Sequence, residues 1–127
     1  MTHKILIVDD ETDIVEVVKK RLASAGYTVF TAHDGKDGLR KIEREQPDLV
    51  ILDVMMPELN GSTLCGILKY DERFKDIPII MLSVMARGLD KEIGDKVRAD
   101  AYLTKPFENK ELLEIVSRLL KKKKAEH

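Results

Sequence analysis

Three short stretches of the chain are apolar at consecutive positions: ILIV at residues 5–8, LVIL at 49–52 and IPIIML at 77–82. Runs this short, rich in β-branched residues and with no polar alternation, read as strands covered on both faces, as in a parallel sheet between helical layers. TVFTA (28–32) and DAYLT (100–104) are shorter and more mixed, which suits edge strands. Between the runs the period changes to that of a helix. Ile14, Val17, Val18 and Leu22 recur at helical spacing, and Gly26 follows where a helix C-cap belongs. Leu39 and Ile42 mark a second helix. Leu64, Ile67 and Leu68 mark a third, entered through the Asn60-Gly61 turn; Leu89, Ile93 and Val97 a fourth; and Leu112, Ile115, Val116 and Leu119 a fifth, entered through Pro106. Five strand-then-helix repeats predict a doubly wound five-stranded parallel sheet in a three-layer α/β sandwich, with right-handed crossovers. Ligands of such folds bind beyond the carboxyl ends of the strands.

Composition narrows this picture in a few ways. With 127 residues the chain is expected to be one domain, its core spanning about residues 4–120. Residues 121–127 would form a basic tail, either a solvated helix end or the start of a linker. The formal net charge of -1 makes no bulk electrostatic case for nucleic acid or anionic lipid, so neither is expected as a direct partner. A single cysteine, Cys65, excludes an internal disulfide and fits a reducing compartment, and the N-terminus lacks a signal-peptide core, so the cytoplasm is expected. No apolar run approaches the roughly 20 residues of a membrane span.

The chemistry sits directly after the strands. Asp9 and Asp10 follow the first run, Asp53 follows the run at 49–52, Ser83 follows the run at 77–82, and Lys105-Pro106 follow the last strand. In a parallel sheet all of these share one rim. Two carboxylates about 4 Å apart repel by roughly 4 kcal/mol at an effective dielectric near 20, so a cluster must protonate or gather a cation. Few protein oxygens of hard character suit Mg²⁺, which keeps its waters and works beside phosphate. A lysine and a hydroxyl on the same rim add donors for an oxyanion, and Asp53 becomes a candidate carboxylate nucleophile. Each residue also has an ordinary explanation: Asp9 or Asp10 as a helix cap, Asp53 as a loop acid, Lys105 as a surface lysine. Their placement after separate strands favours the joint explanation.

The stretches ILIVDDE, PDLVILDVMMPELNG, IIMLS and DAYLTKPF together resemble the receiver domain of response regulators in bacterial two-component signalling, the chemotaxis-regulator type. The resemblance covers nearly the whole chain. It implies the strand order 2-1-3-4-5 of a flavodoxin-like fold. It also implies a phosphorylation switch rather than an enzyme, promoting only its own phosphoryl transfer and hydrolysis. By that resemblance Asp53 is the phospho-acceptor, Asp10 a direct Mg²⁺ ligand, and Asp9 a ligand through water. The Met55 backbone carbonyl would also bind the metal. Ser83 and Lys105 would hold the phosphoryl oxygens, Lys105-Pro106 would be cis, and Ser83 and Tyr102 would couple to a face built from the fourth helix, fifth strand and fifth helix. A histidine kinase or phosphotransfer protein is the implied partner, with a homodimer on phosphorylation. Leu113 and Leu120 lie off the main stripe of the last helix and serve either a dimer or partner contact or ordinary second-stripe packing. Val84, Arg98 and Asn60 depart from the usual pattern. By the same resemblance Met55 and Met85 would flank the approach of a hydrolytic water, which a thioether cannot orient, so a long-lived phosphoryl group is expected. A flavin carrier of the same fold would need a hydroxyl- and glycine-rich loop where DDETD stands. A phosphohydrolase would place an acid where Met55 stands.

Overall fold

The computed structural model describes residues 2–56, 61–83 and 99–125. Five strands, β1 (Lys4–Val8), β2 (Thr28–Ala32), β3 (Leu49–Asp53), β4 (Ile79–Ser83) and β5 (Ala101–Thr104), pair in parallel in the order β2-β1-β3-β4-β5. The mixed strands β2 and β5 are the edges, as their composition predicts. The order reverses between β1 and β3, so the notch beyond their carboxyl ends is the switch point of the fold.

Strand alternation divides the core in two. Ile5, Ile7, Leu49, Ile51, Ile80 and Leu82 face one layer, made by α1 (Thr12–Ser24) and the C-terminal helix (Asn109–Ala125). Leu6, Val8, Val50, Leu52, Ile79 and Met81 face the other, made by α2 (Gly35–Glu45) and α3 (Gly61–Lys69). The uninterrupted apolar runs are thereby explained: both faces of each central strand are dry. α1 ends as expected, with Gly26 at a φ of 97° just past the cap.

Three sequence expectations need correction. In α1 the buried residues are Val15, Val18 and Leu22, whereas Val17 is 51% exposed. The helix is rotated so that the Val17 side borders an open groove with Ile14, Pro106 and Phe107. In α3 Leu64 and Leu68 are buried but Ile67 is exposed, because nothing described covers that flank. Leu120 is buried in the core between α1 and the C-terminal helix and does not offer a surface contact; Leu113 remains half-buried. The fourth helical pattern (Leu89, Ile93, Val97), with Val84, Met85 and Arg98, lies outside the described residues, as does Asn60.

Candidate functional site

Among the described residues the buried polar side chains are Asp9, Asp53, Ser83 and Lys105, at 0%, 5%, 6% and 7% exposure. All four stand at the carboxyl ends of strands. Burying ionisable groups is unfavourable unless they are paired, so their collection in one place is the main electrostatic feature among the described residues.

The strands aim them. Asp53 is the last residue of β3 and Ser83 the last of β4, and the Val54 amide donates to the Leu82 carbonyl at 2.9 Å, carrying the ladder past the acid. Ser83 lies opposite Thr104, and the Lys105 amide donates to the Ser83 carbonyl at 2.6 Å. Asp9 is fixed by its own amide, which donates to the Ala32 carbonyl at 3.1 Å. Lys105-Pro106 is a cis peptide, as the resemblance implies.

The Lys105 ammonium donates to Asp9 Oδ2 and to Glu11 Oε1, each at 2.9 Å, and lies 3.6 Å from Asp53 Oδ1. Asp9 Oδ1 accepts from the Glu11 amide at 2.9 Å, and Asp53 Oδ1 from the Met55 amide at 3.3 Å. Burial alone would depress the Lys105 pKa, but the hydrogen bonds to Asp9 and Glu11 and the charges of Asp53 and Asp9 push it above the ordinary lysine value. Asp53 is pushed up to about 7, by burial first and by the neighbouring Asp9 charge second. Lys105 and the Met55 amide oppose the rise without cancelling it. The protein by itself thus leaves Asp53 short of compensating positive charge near neutral pH.

The residues fit a hard divalent cation. Carboxylate oxygens of Asp9, Asp10 and Asp53 lie within 4.8 Å of one another, Asp10 exposed at the mouth and the other two buried. Among the described residues, with Glu11 they set four carboxylates against the ammonium of Lys105. Such an all-oxygen set, open to water on one side, is what Mg²⁺ takes. The Met55 side chain is 65% exposed, and Tyr102 is partly buried against the α2/α3 face of the core.

Two contributors were not picked out from the sequence. Glu11 reaches Lys105 across 94 positions of chain. Its one sequence signal is a glutamate at the N-cap of α1, where Ser, Thr, Asp or Asn is favoured. Gly61 opens α3 directly beneath Asp53: a β-carbon there would lie 1.9 Å from the Asp53 carbonyl oxygen.

A family model described as response regulator receiver domain matches residues 5–117. Over 96% of its length the chain is 42% identical to the alkaline phosphatase synthesis transcriptional regulatory protein PhoP of Bacillus subtilis, covering 50% of that protein. Over 94% of its length it is 44% identical to the DNA-binding dual master transcriptional regulator RpaA of Synechocystis sp., covering 49%. The fold superposes on the crystal structure of a CheY-like response regulator receiver domain protein from Methanospirillum hungatei with a TM-score of 0.93, at 31% identity and 100% coverage of both chains. The chain thus spans about half the length of the curated relatives it matches. One of them is named DNA-binding, so the expectation of no nucleic-acid partner finds no support in these relatives.

Proposed function

The chain belongs to the response regulator receiver domain family, and from that premise we propose that it takes a phosphoryl group from a histidine kinase or phosphotransfer protein onto Asp53. The supporting observation is the burial of Asp53 at a strand end, between an acidic pair and a buried lysine. An Asp53 oxygen attacks phosphorus, the donor's phosphorus–nitrogen bond breaks, and the departing imidazole keeps the electron pair. Lys105 pairs with one phosphoryl oxygen and the Ser83 hydroxyl with another. Mg²⁺, held by Asp9, Asp10, Asp53 and the Met55 carbonyl, would supply charge neutralisation for the oxygens in transit.

The same reading makes the chain one signalling domain, with core residues at about 4–120, acting as a switch in the cytoplasm. No described helix is long and apolar enough to cross a membrane. In a longer protein built like its relatives, DNA contact would belong to the half outside this chain. The bond between the Lys105 amide and the Ser83 carbonyl ties the ends of β4 and β5, a route from Asp53 toward Tyr102 and the output face.

Incubation with acetyl phosphate and Mg²⁺ is expected to add one phosphoryl mass, labile to base, and to change amide exchange most over residues 83–105. Label persisting in Asp53→Ala, or an exchange pattern unmoved there, would refute the acceptor or the switch respectively. For the metal, both Asp9 oxygens are already engaged, by Lys105 and the Glu11 amide, whereas Asp10 faces water. Asp10→Ala is therefore expected to weaken Mg²⁺ binding by at least tenfold, and by more than Asp9→Ala does. Calorimetric titration giving equal losses would reverse the assignment of Asp10 as the direct ligand.

A further inference from the structure

Glu11 occupies the N-cap position of α1, yet its side chain makes no capping hydrogen bond. It turns back over the rim instead and meets Lys105 at 2.9 Å, while remaining 53% exposed itself. An ammonium has three donors. Two are spent at hydrogen-bonding distance, on Asp9 and Glu11, and Asp53 at 3.6 Å lies beyond that range. A phosphoryl oxygen arriving on Asp53 therefore meets a lysine whose nearest partners are other anions. Of those two, Asp9 is fully buried and held by a backbone amide, whereas Glu11 can swing into water.

We propose that Glu11 is a positioning residue acting through Lys105: it holds the ammonium in the unmodified protein, competes with the phosphoryl group for it, and so opposes phosphorylation. The inference rests on Asp53 being the acceptor. Its negative charge also reduces the attraction of the notch for anionic donors, which acts in the same direction. The interaction is half-exposed, so its weight is that of a favourable surface pair, and its removal is worth about a threefold to fivefold change in anion affinity.

The test is titration of the unmodified chain and of Glu11→Gln with beryllofluoride, an anionic phosphoryl mimic, at saturating Mg²⁺, followed by amide NMR. Glu11→Gln is expected to bind about three to five times tighter at low ionic strength, and the gap is expected to shrink as salt rises. Glu11→Ala should move the same way, and Glu11→Asp, which keeps the charge on a shorter arm, should fall between. Because no capping bond is lost and the pair with Lys105 is half-exposed, the variants' folding constant in urea unfolding should fall by no more than the same threefold to fivefold; a larger loss of stability with no gain in affinity would reassign Glu11 to a structural role and overturn the proposal. Equal or weaker binding by a folded Glu11→Gln overturns it while leaving Asp53 as acceptor. Failure of the parent chain itself to bind the mimic overturns the acceptor assignment and this inference with it.

Discussion

Replacing Asp53 with Asn raises the unfolding midpoint of the metal-free protein at pH 8, and the gain is gone by pH 4, where the variant falls slightly below the parent. In the unfolded chain Asp53 titrates at the ordinary value of 3.8, and in the fold at about 7. Between those values the folded state binds the extra proton. The raised pKa thus contributes stability that is present in full below pH 3.8 and lost as pH rises through 7. The gap corresponds to roughly 4 kcal/mol at about 1.36 kcal/mol per pH unit. Asn keeps a buried amide that still needs partners, so the expected gain at pH 8 is about 2–3 kcal/mol, several degrees in midpoint for a domain of this size. Lys105 retains Asp9 and Glu11 in the variant and is not orphaned. Mg²⁺ should narrow the difference by stabilising the aspartate form through mass action. Thermal unfolding of both proteins in chelator at pH 4 and pH 8 measures this. A gain as large at pH 4 as at pH 8 would show that the effect is not charge, and no gain at pH 8 would show that Asp53 is not electrostatically strained.

Gly61→Ala is expected to cost the protein roughly 3 kcal/mol and to abolish labelling of Asp53 even where the fold survives. An added β-carbon would sit 1.9 Å from the Asp53 carbonyl oxygen, 2.8 Å from its carbonyl carbon and 3.2 Å from the Val54 α-carbon. All three are backbone atoms of the strand end that aims the acid, so no side chain can rotate away to make room. The Gly61 amide also donates to the Val54 carbonyl at 3.2 Å, so a shift of the helix start would pull on the same strand. Gly38→Ala is the matched control: its β-carbon would meet side-chain atoms alone, of Val8 at 3.0 and 3.1 Å and of Leu64 at 3.4 Å, and should leave labelling intact. Urea unfolding and phosphoryl incorporation, run on both variants, separate the cases. Gly61→Ala within 1 kcal/mol of the parent and labelled normally would mean that the helix start yields without moving Asp53.

The apolar runs, read alone, determined the three central strands, their burial on both faces and the polar residue at the end of each. That follows because a dry strand leaves no polar position to spare, so an acid or hydroxyl at its end must serve the rim. Periodicity was weaker for the helices. It says which residues share a face, not how far the neighbouring layer wraps round that face, and so Val15 took the buried place expected for Val17 while Leu120 went inside. Contacts between residues remote in sequence left no periodic trace at all. The reach of Glu11 to Lys105, the seating of Gly61 against Asp53 and the pKa of Asp53 near 7 arise only when the strands bring separate segments to one rim. There the falling local dielectric turns ordinary charges into coupled ones, which no single stretch of chain encodes.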